Sequence, residues 1–189
     1  MNINNMFHYG DIPTLEEVLN HREERVFKIN SLLNQYQNTV VAFKLNIPGA
    51  VKNNDRIYHL FKYGLNQIEE TEKAYHLNRI FSEEENLKTG PEIYIIYKND
   101  SFAVKKAFIQ LENNPLGPLY DADVYTLDKE NITAVSRKDV NAAERKCLIC
   151  NNYAKYCSGR RIHSLPELHE KIKQIIHEDL NYCNFTFKP

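Results

Sequence analysis

Apolar side chains recur along the chain with two different periods, and the alternation of those periods predicts a mixed domain of helices and strands. Leu15, Val18, Leu19, Val26, Ile29 and Leu33 fall at helical spacing, the pattern of a helix with one buried stripe. Thr14 and Glu17 stand in the order of a capping box, in which hydroxyl and carboxylate each satisfy a backbone amide of the first turn. A helix is therefore expected over 15–36, with Glu16, His21, Arg22 and Arg25 elsewhere around it. The β-branched and aromatic residues of 39–47 predict a strand ending at the turn Asn46-Ile-Pro-Gly49. A second helix, beginning at Asn53 or Asn54, carries Ile57, Leu60, Phe61, Leu65 and Ile68 at core-facing positions.

Two strands follow, at 78–82 and 92–98. The segment 100–113 satisfies both periods: Val104, Ala107, Phe108 and Leu111 match a helix, while Ala107, Ile109 and Leu111 alternate. Capping residues Asn99, Asp100 and Ser101 at one end and Asn113-Asn-Pro115 at the other favour the helix. A strand at 119–127 and a short one at 134–137 come next. Ser164 and Glu167 form a second capping box, opening a C-terminal helix with Leu165, Leu168, Ile172, Ile175, Ile176 and Leu180 on one face. The fold class read from this order is α+β, a single mixed domain over residues 1–189.

Composition agrees with one domain. At 189 residues and 42% hydrophobic, the chain can bury a real core without splitting. Glycines and prolines punctuate turns but build no linker, and no repeat stands out. The start MNINNMFHYGDIP has neither the basic region nor the apolar stretch of a secretory signal, and no apolar run approaches a membrane span. A cytoplasmic protein with no membrane partner is expected. Its 24 basic and 25 acidic residues nearly cancel, which argues against nucleic acid, since that binding draws on many cations. Any phosphate site must be local.

The first local candidate is Leu116-Gly117-Pro118-Leu119-Tyr120-Asp121-Ala122-Asp123-Val124. On a strand, Asp121 and Asp123 project from one face about 6 to 7 Å apart while Ala122 joins Tyr120 and Val124 on the other. At that separation and a dielectric near 20, two carboxylates repel by about 3 kcal/mol, so a half-buried pair calls for a cation. An Asp-x-Asp also occurs at solvated strand ends. Here Pro115, Gly117 and Pro118 stiffen the approach and apolar neighbours flank the pair.

The second candidate lies within 145–163: Cys147-Leu-Ile-Cys150, Cys157 and His163. Cys-x-x-Cys lets two thiolates bind one ion from a tight knuckle, and a third Cys with a His completes a tetrahedral structural Zn²⁺ site. Cys183 is an alternative fourth ligand, and small half-buried cysteines in a reducing compartment are the competing explanation. Arg145 and Lys146 before the knuckle, and Arg160 and Arg161 after it, place positive charge on both its sides.

With these motifs in order, the chain resembles the citrate lyase holo-acyl-carrier-protein synthases, the apo-citrate lyase phosphoribosyl-dephospho-CoA transferases. The resemblance runs through Leu15-Glu-Glu-Val-Leu19, Arg22-Glu-Glu-Arg25, Asn46-Ile-Pro-Gly49 with Lys52, and Pro115-Leu-Gly117 with Asp121-x-Asp123. It continues through Ser136-Arg137, Arg145-Lys-Cys147-Leu-x-Cys150, Cys157, Arg160 and His163. It implies transfer of the prosthetic group from 2′-(5″-triphosphoribosyl)-3′-dephospho-CoA to a serine of the acyl-carrier (gamma) subunit of citrate lyase, with release of pyrophosphate. Mg²⁺ held by Asp121 and Asp123 suits that chemistry. For the donor, Lys52, Gly117, Arg137, Arg145, Arg160 and Arg161 are the expected contacts, with either carboxylate or Glu112 as acceptor for the serine proton. One departure stands out: family members commonly carry Arg after the motif glycine, where this chain has Pro118, so either Lys105, Lys106 or Arg137 supplies that charge or the arginine is not essential. The order Gly, then Asp-x-Asp, also resembles nucleotidyltransferase folds, with a shorter interval. The alternative from another class is a zinc-knuckle module that binds protein or RNA without catalysis.

Overall fold

Strand β1 (Thr39–Leu45) is apolar at four consecutive positions, Val40 to Phe43, and all four are fully buried. Such a run suits only a strand covered on both faces and paired at both edges. That is its place in the computed structural model, which describes residues 6–128 and 131–185. With β2 (Arg79–Leu87), β3 (Gly90–Tyr97), β4 (Tyr120–Asp128) and β5 (Asn131–Val135) it forms a five-stranded sheet in the order β2-β3-β1-β4-β5. Every pairing is antiparallel.

One face of the sheet packs against helices α2 (Asp55–Tyr75), α3 (Ser101–Leu111) and α5 (Leu165–Glu178). Val41, Phe43, Ile93, Ile95, Ala122 and Val124 meet Leu60, Phe61, Val104, Phe108, Ile172 and Ile176 there. The other face carries α1 (Leu15–Tyr36), whose Ile29, Leu32 and Leu33 cover Val40, Ala42, Tyr94 and Ile96. Both expected capping boxes form, at Thr14 and at Ser164. Among the described residues no helix is long and apolar enough to cross a membrane.

Helix α1 is where the apolar pattern misleads. Ile29 and Leu33 are buried as expected, but Leu15 and Val26 are 75% and 58% exposed, and Leu19 is exposed as well. The cause is the surface beneath. Toward its N-terminal half α1 meets a polar stretch of the sheet, Lys44, Glu92, Asp121 and Asp123, so His21 and Arg25 turn inward to pair with it. The helix rotates to satisfy buried charge before it buries the remaining apolar side chains.

Smaller departures have equally local causes. The strands expected at 78–82 and 92–98 are one long hairpin, β2 and β3, closed at Gly90 with φ +124. The first strand runs past its expected end through Glu83, Glu84 and Glu85, whose charges pair with Lys28 and Lys62. The short strand expected at 134–137 lies at Asn131–Val135. Helix α3 forms as expected, capped by the Asp100 carboxylate. Helix α4 (Ala154–Arg160), inside the cysteine segment, was not expected. The C-terminal helix stops at Glu178 because Asp179 is extended and caps a separate short helix, α6 (Leu180–Asn184). The side chains of Leu180 and Cys183 lie outside the described residues, and with them the alternative role for Cys183.

The rotation of α1 makes a clear expectation. Leu33→Ala, at a fully buried position, loses about 2–5 kcal/mol in urea unfolding, whereas Val26→Ala stays within about 0.5 kcal/mol of the parent.

Candidate active site

Strand β4 alternates as the sequence requires. Tyr120, Ala122 and Val124 enter the core, and Asp121 and Asp123 emerge together on the α1 side. Antiparallel register sets Lys44 opposite Asp121 and Ala42 opposite Asp123. The two carboxylate side chains are 35% and 42% exposed, open enough for a ligand yet fixed by the strand. Lys44 Nζ lies 3.8 Å from Asp121 Oδ2, an ion pair longer than a hydrogen bond. Arg25 Nη2 donates to Asp123 Oδ2 at 3.1 Å.

Cations of α1 and β1 thus stand against the pair. Arg25 also donates through Nε to Glu92 Oε2 at 3.0 Å, and His21 Nε2 lies 3.1 Å from Glu92 Oε1. Glu92 is only 1% exposed. Burial alone would push its carboxyl up, but hydrogen bonds with His21 and Tyr94 and the charge of Arg25 outweigh that and hold it below the usual carboxylate range. Lys52 donates to the Ile47 carbonyl at 2.7 Å. Its ammonium is held below its ordinary value first by burial and then by Lys44 and Arg22, which shows that the three cations share one neighbourhood. Lys44 escaped notice in the sequence. It lies two residues beyond Ala42, hence on the same face of β1, and that alternation was the available signal.

The glycine turn before β4 is held from below. A Cβ at Gly117 would lie 2.2 Å from the Glu112 carbonyl oxygen, so only glycine fits this close approach. The Glu112 carboxylate, 7% exposed, is paired with Arg137 and, at 3.4 Å, with Arg145. Arg145 Nη2 donates to the carbonyls of Gly117 at 3.3 Å and Tyr120 at 2.6 Å, and Arg137 Nη1 to that of Ala143 at 3.0 Å. Arg137, Arg145 and Glu112, singled out as donor contacts or proton acceptor, therefore converge on one another and brace the turn that aims β4. Pro118 sits in the single 3₁₀ turn leading into the strand. Lys105, a candidate replacement for the missing arginine, lies in α3 under the opposite face and donates to the Ala122 carbonyl at 3.2 Å.

The cysteine segment closes into one cluster. Ligand atoms of Cys147, Cys150, Cys157 and His163 all lie within 4.8 Å of one another. The knuckle is set by a Cys147 amide to Asn152 carbonyl bond of 2.8 Å and by a bridge pairing Lys146 with Tyr153. Hydrogen bonding from the Asn152 backbone, then from His163, draws the Cys150 thiol down to about 6. Burial, then its sulfur neighbours, pushes Cys157 up to about 12. Three sulfurs and an imidazole packed this tightly form a donor set able to hold a metal. Among the described residues His163 Nε2 is buried with no hydrogen-bond partner, which suits a nitrogen that ligates a metal.

The paired arginines diverge. Arg160 stacks on Tyr156, 4.3 Å from the ring centre, and donates to its hydroxyl at 2.7 Å. Arg161 instead lines a cavity of about 590 Å³ between the knuckle, Pro118 and the start of α5. A more open hollow of about 650 Å³ beside Glu72 and Arg79 touches none of these groups.

Comparison with known proteins gives a consistent result. The family model described as CitX, apo-citrate lyase phosphoribosyl-dephospho-CoA transferase, matches residues 13–179. A probable apo-citrate lyase phosphoribosyl-dephospho-CoA transferase of Vibrio cholerae serotype O1 (strain M66-2) is 31% identical over 176 residues, covering 92% of this chain and 97% of that protein. One from Streptococcus pyogenes serotype M18 is 30% identical over 181 residues, covering 93% and 91%. Protein CitXG of Haemophilus influenzae is 31% identical over 167 residues, and the chain matches only 35% of its length.

The depressed Glu92 carboxyl links this site to acid stability. Its folded value lies below the unfolded one, so its contribution is present above about pH 4.3 and is lost as pH falls through the folded value. Urea midpoints of the parent should fall with acidification across that window, and Glu92→Gln should flatten the fall. Equal slopes in the two proteins would remove Glu92 from the linkage.

Proposed function

The chain belongs to the apo-citrate lyase phosphoribosyl-dephospho-CoA transferase family, and on that premise we propose that its reaction centre is the Asp121–Asp123 face of β4. The reaction is transfer of the phosphoribosyl-dephospho-CoA group from its triphosphate precursor to a serine of the acyl-carrier subunit of citrate lyase. The oxygen of the serine bonds to the α-phosphorus, the bond from that phosphorus to the pyrophosphate breaks, and the serine proton passes to a base. The observation that carries the reading is two half-exposed carboxylates fixed on one strand face, with Lys44 and Arg25 against them and the charges of Lys52 and Arg22 near Lys44.

Asp121 and Asp123 present hard oxygen donors at the exposed edge of the face, a set that fits Mg²⁺. When bound, that ion supplies charge neutralisation for the phosphates. The ion pair to Lys44 does not withhold Asp121 from it, because a half-exposed pair contributes about 1 kcal/mol or less, and the Arg25 bond engages one oxygen, Oδ2, of Asp123. Lys44, Lys52 and Arg22 bind and orient the triphosphate. The carboxylate pair suits the role of proton acceptor better than Glu112, which is committed to two guanidiniums. Arg137 and Arg145 position β4 through the Gly117 turn. The order Gly117, then Asp121 and Asp123, supports placing this fold beside the nucleotidyltransferases.

The cysteine cluster we assign to structural Zn²⁺, supported by the Cys₃His donor set and the unpartnered His163 Nε2. A non-catalytic knuckle module is the other reading of that cluster. Near-neutral net charge speaks against its RNA form, and family membership speaks against the absence of catalysis.

Two outcomes test these assignments. Asp121→Asn and Asp123→Asn should keep the parent fold and lose at least about 100-fold in the mass gain of the acyl-carrier subunit incubated with donor and Mg²⁺. Wild-type rates in both would place the reaction elsewhere. Protein purified without chelator should hold about one zinc per chain, and Cys150→Ser should lose it and unfold at lower temperature. A metal content near zero in fully active protein would remove zinc from the account.

A further inference from the structure

We infer that the cavity between the cysteine knuckle, the Pro118 turn and the start of α5 holds the dephospho-CoA portion of the donor. The inference rests on the transferase reading and gives it a substrate subsite. It begins from register. Lys44 faces Asp121 in the β1–β4 ladder, and two residues further the Asn46 amide donates to the Leu119 carbonyl at 2.8 Å. Asn46 and Leu119 are themselves walls of the cavity. These walls lie about 7 Å along the strands from Lys44 and Asp121, at the end of the β1–β4 pair on the side that α5 covers, so the donor would pass around that strand end. In the donor a single ribose joins the triphosphate to the dephospho-CoA, so a group bound at one place must find its remainder accommodated next door.

The chemistry of the walls matches that remainder. Pro48, Pro118, Leu119, Leu148, Leu165 and Leu168 give an apolar lining, suited to an adenine or a pantetheine arm. Lys146 and Arg161 stand on the same walls, both exposed. Unlike Arg145, they are not drawn into the Glu112 clamp; Lys146 lies over the Tyr153 ring, 4.8 Å from its centre, and both cations can turn to the dephospho-CoA diphosphate. The volume, about 590 Å³, lies within the roughly 300–1,000 Å³ typical of small-molecule sites. Cys147, Cys157 and His163 belong to the wall as well, which gives the metal knuckle a reason to sit where it does: it shapes a substrate pocket. Pro118 also gains a meaning here, because it contributes apolar surface to this pocket.

The test is calorimetric titration of dephospho-CoA into the full chain, joined to donor kinetics. Leu165→Glu and Arg161→Glu change exposed positions, and an acid at the first residue of α5 favours the helix, so both should fold. Each should weaken dephospho-CoA binding about tenfold and raise the donor KM similarly with kcat within about twofold. Asp121→Asn should lose transfer yet bind dephospho-CoA like the parent. Absence of binding by the parent, or parent-like affinity in both charge-reversed variants, would overturn the inference while leaving the transferase reading intact. Parent protein that binds dephospho-CoA through Leu165 and Arg161 yet transfers nothing would uphold the pocket and sink the transferase reading.

Discussion

Strand β4 has to present its two faces to different worlds, and the rest of the site depends on its keeping that alternation. Tyr120, Ala122 and Val124 enter the main core while Asp121 and Asp123 stand on the opposite side. A slip of one residue against β1 would bury both carboxylates and expose the core residues, so register is enforced by the full cost of burying charge. The entrance to the strand is pinned as tightly. Gly117 rests on the Glu112 backbone, and Arg145 ties Glu112 to the carbonyls of Gly117 and Tyr120. The turn expected from sequence to stiffen the approach to the strand is a brace for it.

Charge balance on the α1 face follows from this. Glu92 is almost fully buried and needs Arg25 and His21, which fixes how α1 lies on the sheet. Arg25 then reaches Asp123 with its second nitrogen, so one guanidinium spans β3 and β4 and holds the site's geometry. Lys44 stands loosely against Asp121 at 3.8 Å, and the charges of Lys52 and Arg22 are felt near it. A cation between the aspartates and a polyphosphate across these three bases would satisfy charges that the free protein leaves only loosely paired.

What could be read in advance was what depends on local pattern. The capping boxes at Thr14 and Ser164, the helix from Asp100 and the shared face of Asp121 and Asp123 follow from spacing alone. The Cys₃His convergence was likewise legible, because a Cys-x-x-Cys knuckle leaves few geometries. What escaped depends on partners distant in sequence. Helix α1 offers enough apolar residues for a stripe including Leu15 and Val26, and only the polar sheet surface under it selects another rotation. Arg137 and Arg145 carry the charge a phosphate needs, and only the fold reveals that Glu112 already occupies them. Lys44 looked like one lysine in a strand until β4 paired beside it.

The central claim is that Asp121 and Asp123 together hold a divalent cation for the transfer. Manganese titration followed by electron paramagnetic resonance measures this directly, with the donor present and the zinc site loaded. The account predicts one bound manganese per chain in the parent protein and none in folded Asp121→Asn/Asp123→Asn protein. Undiminished manganese binding in that double variant would contradict it.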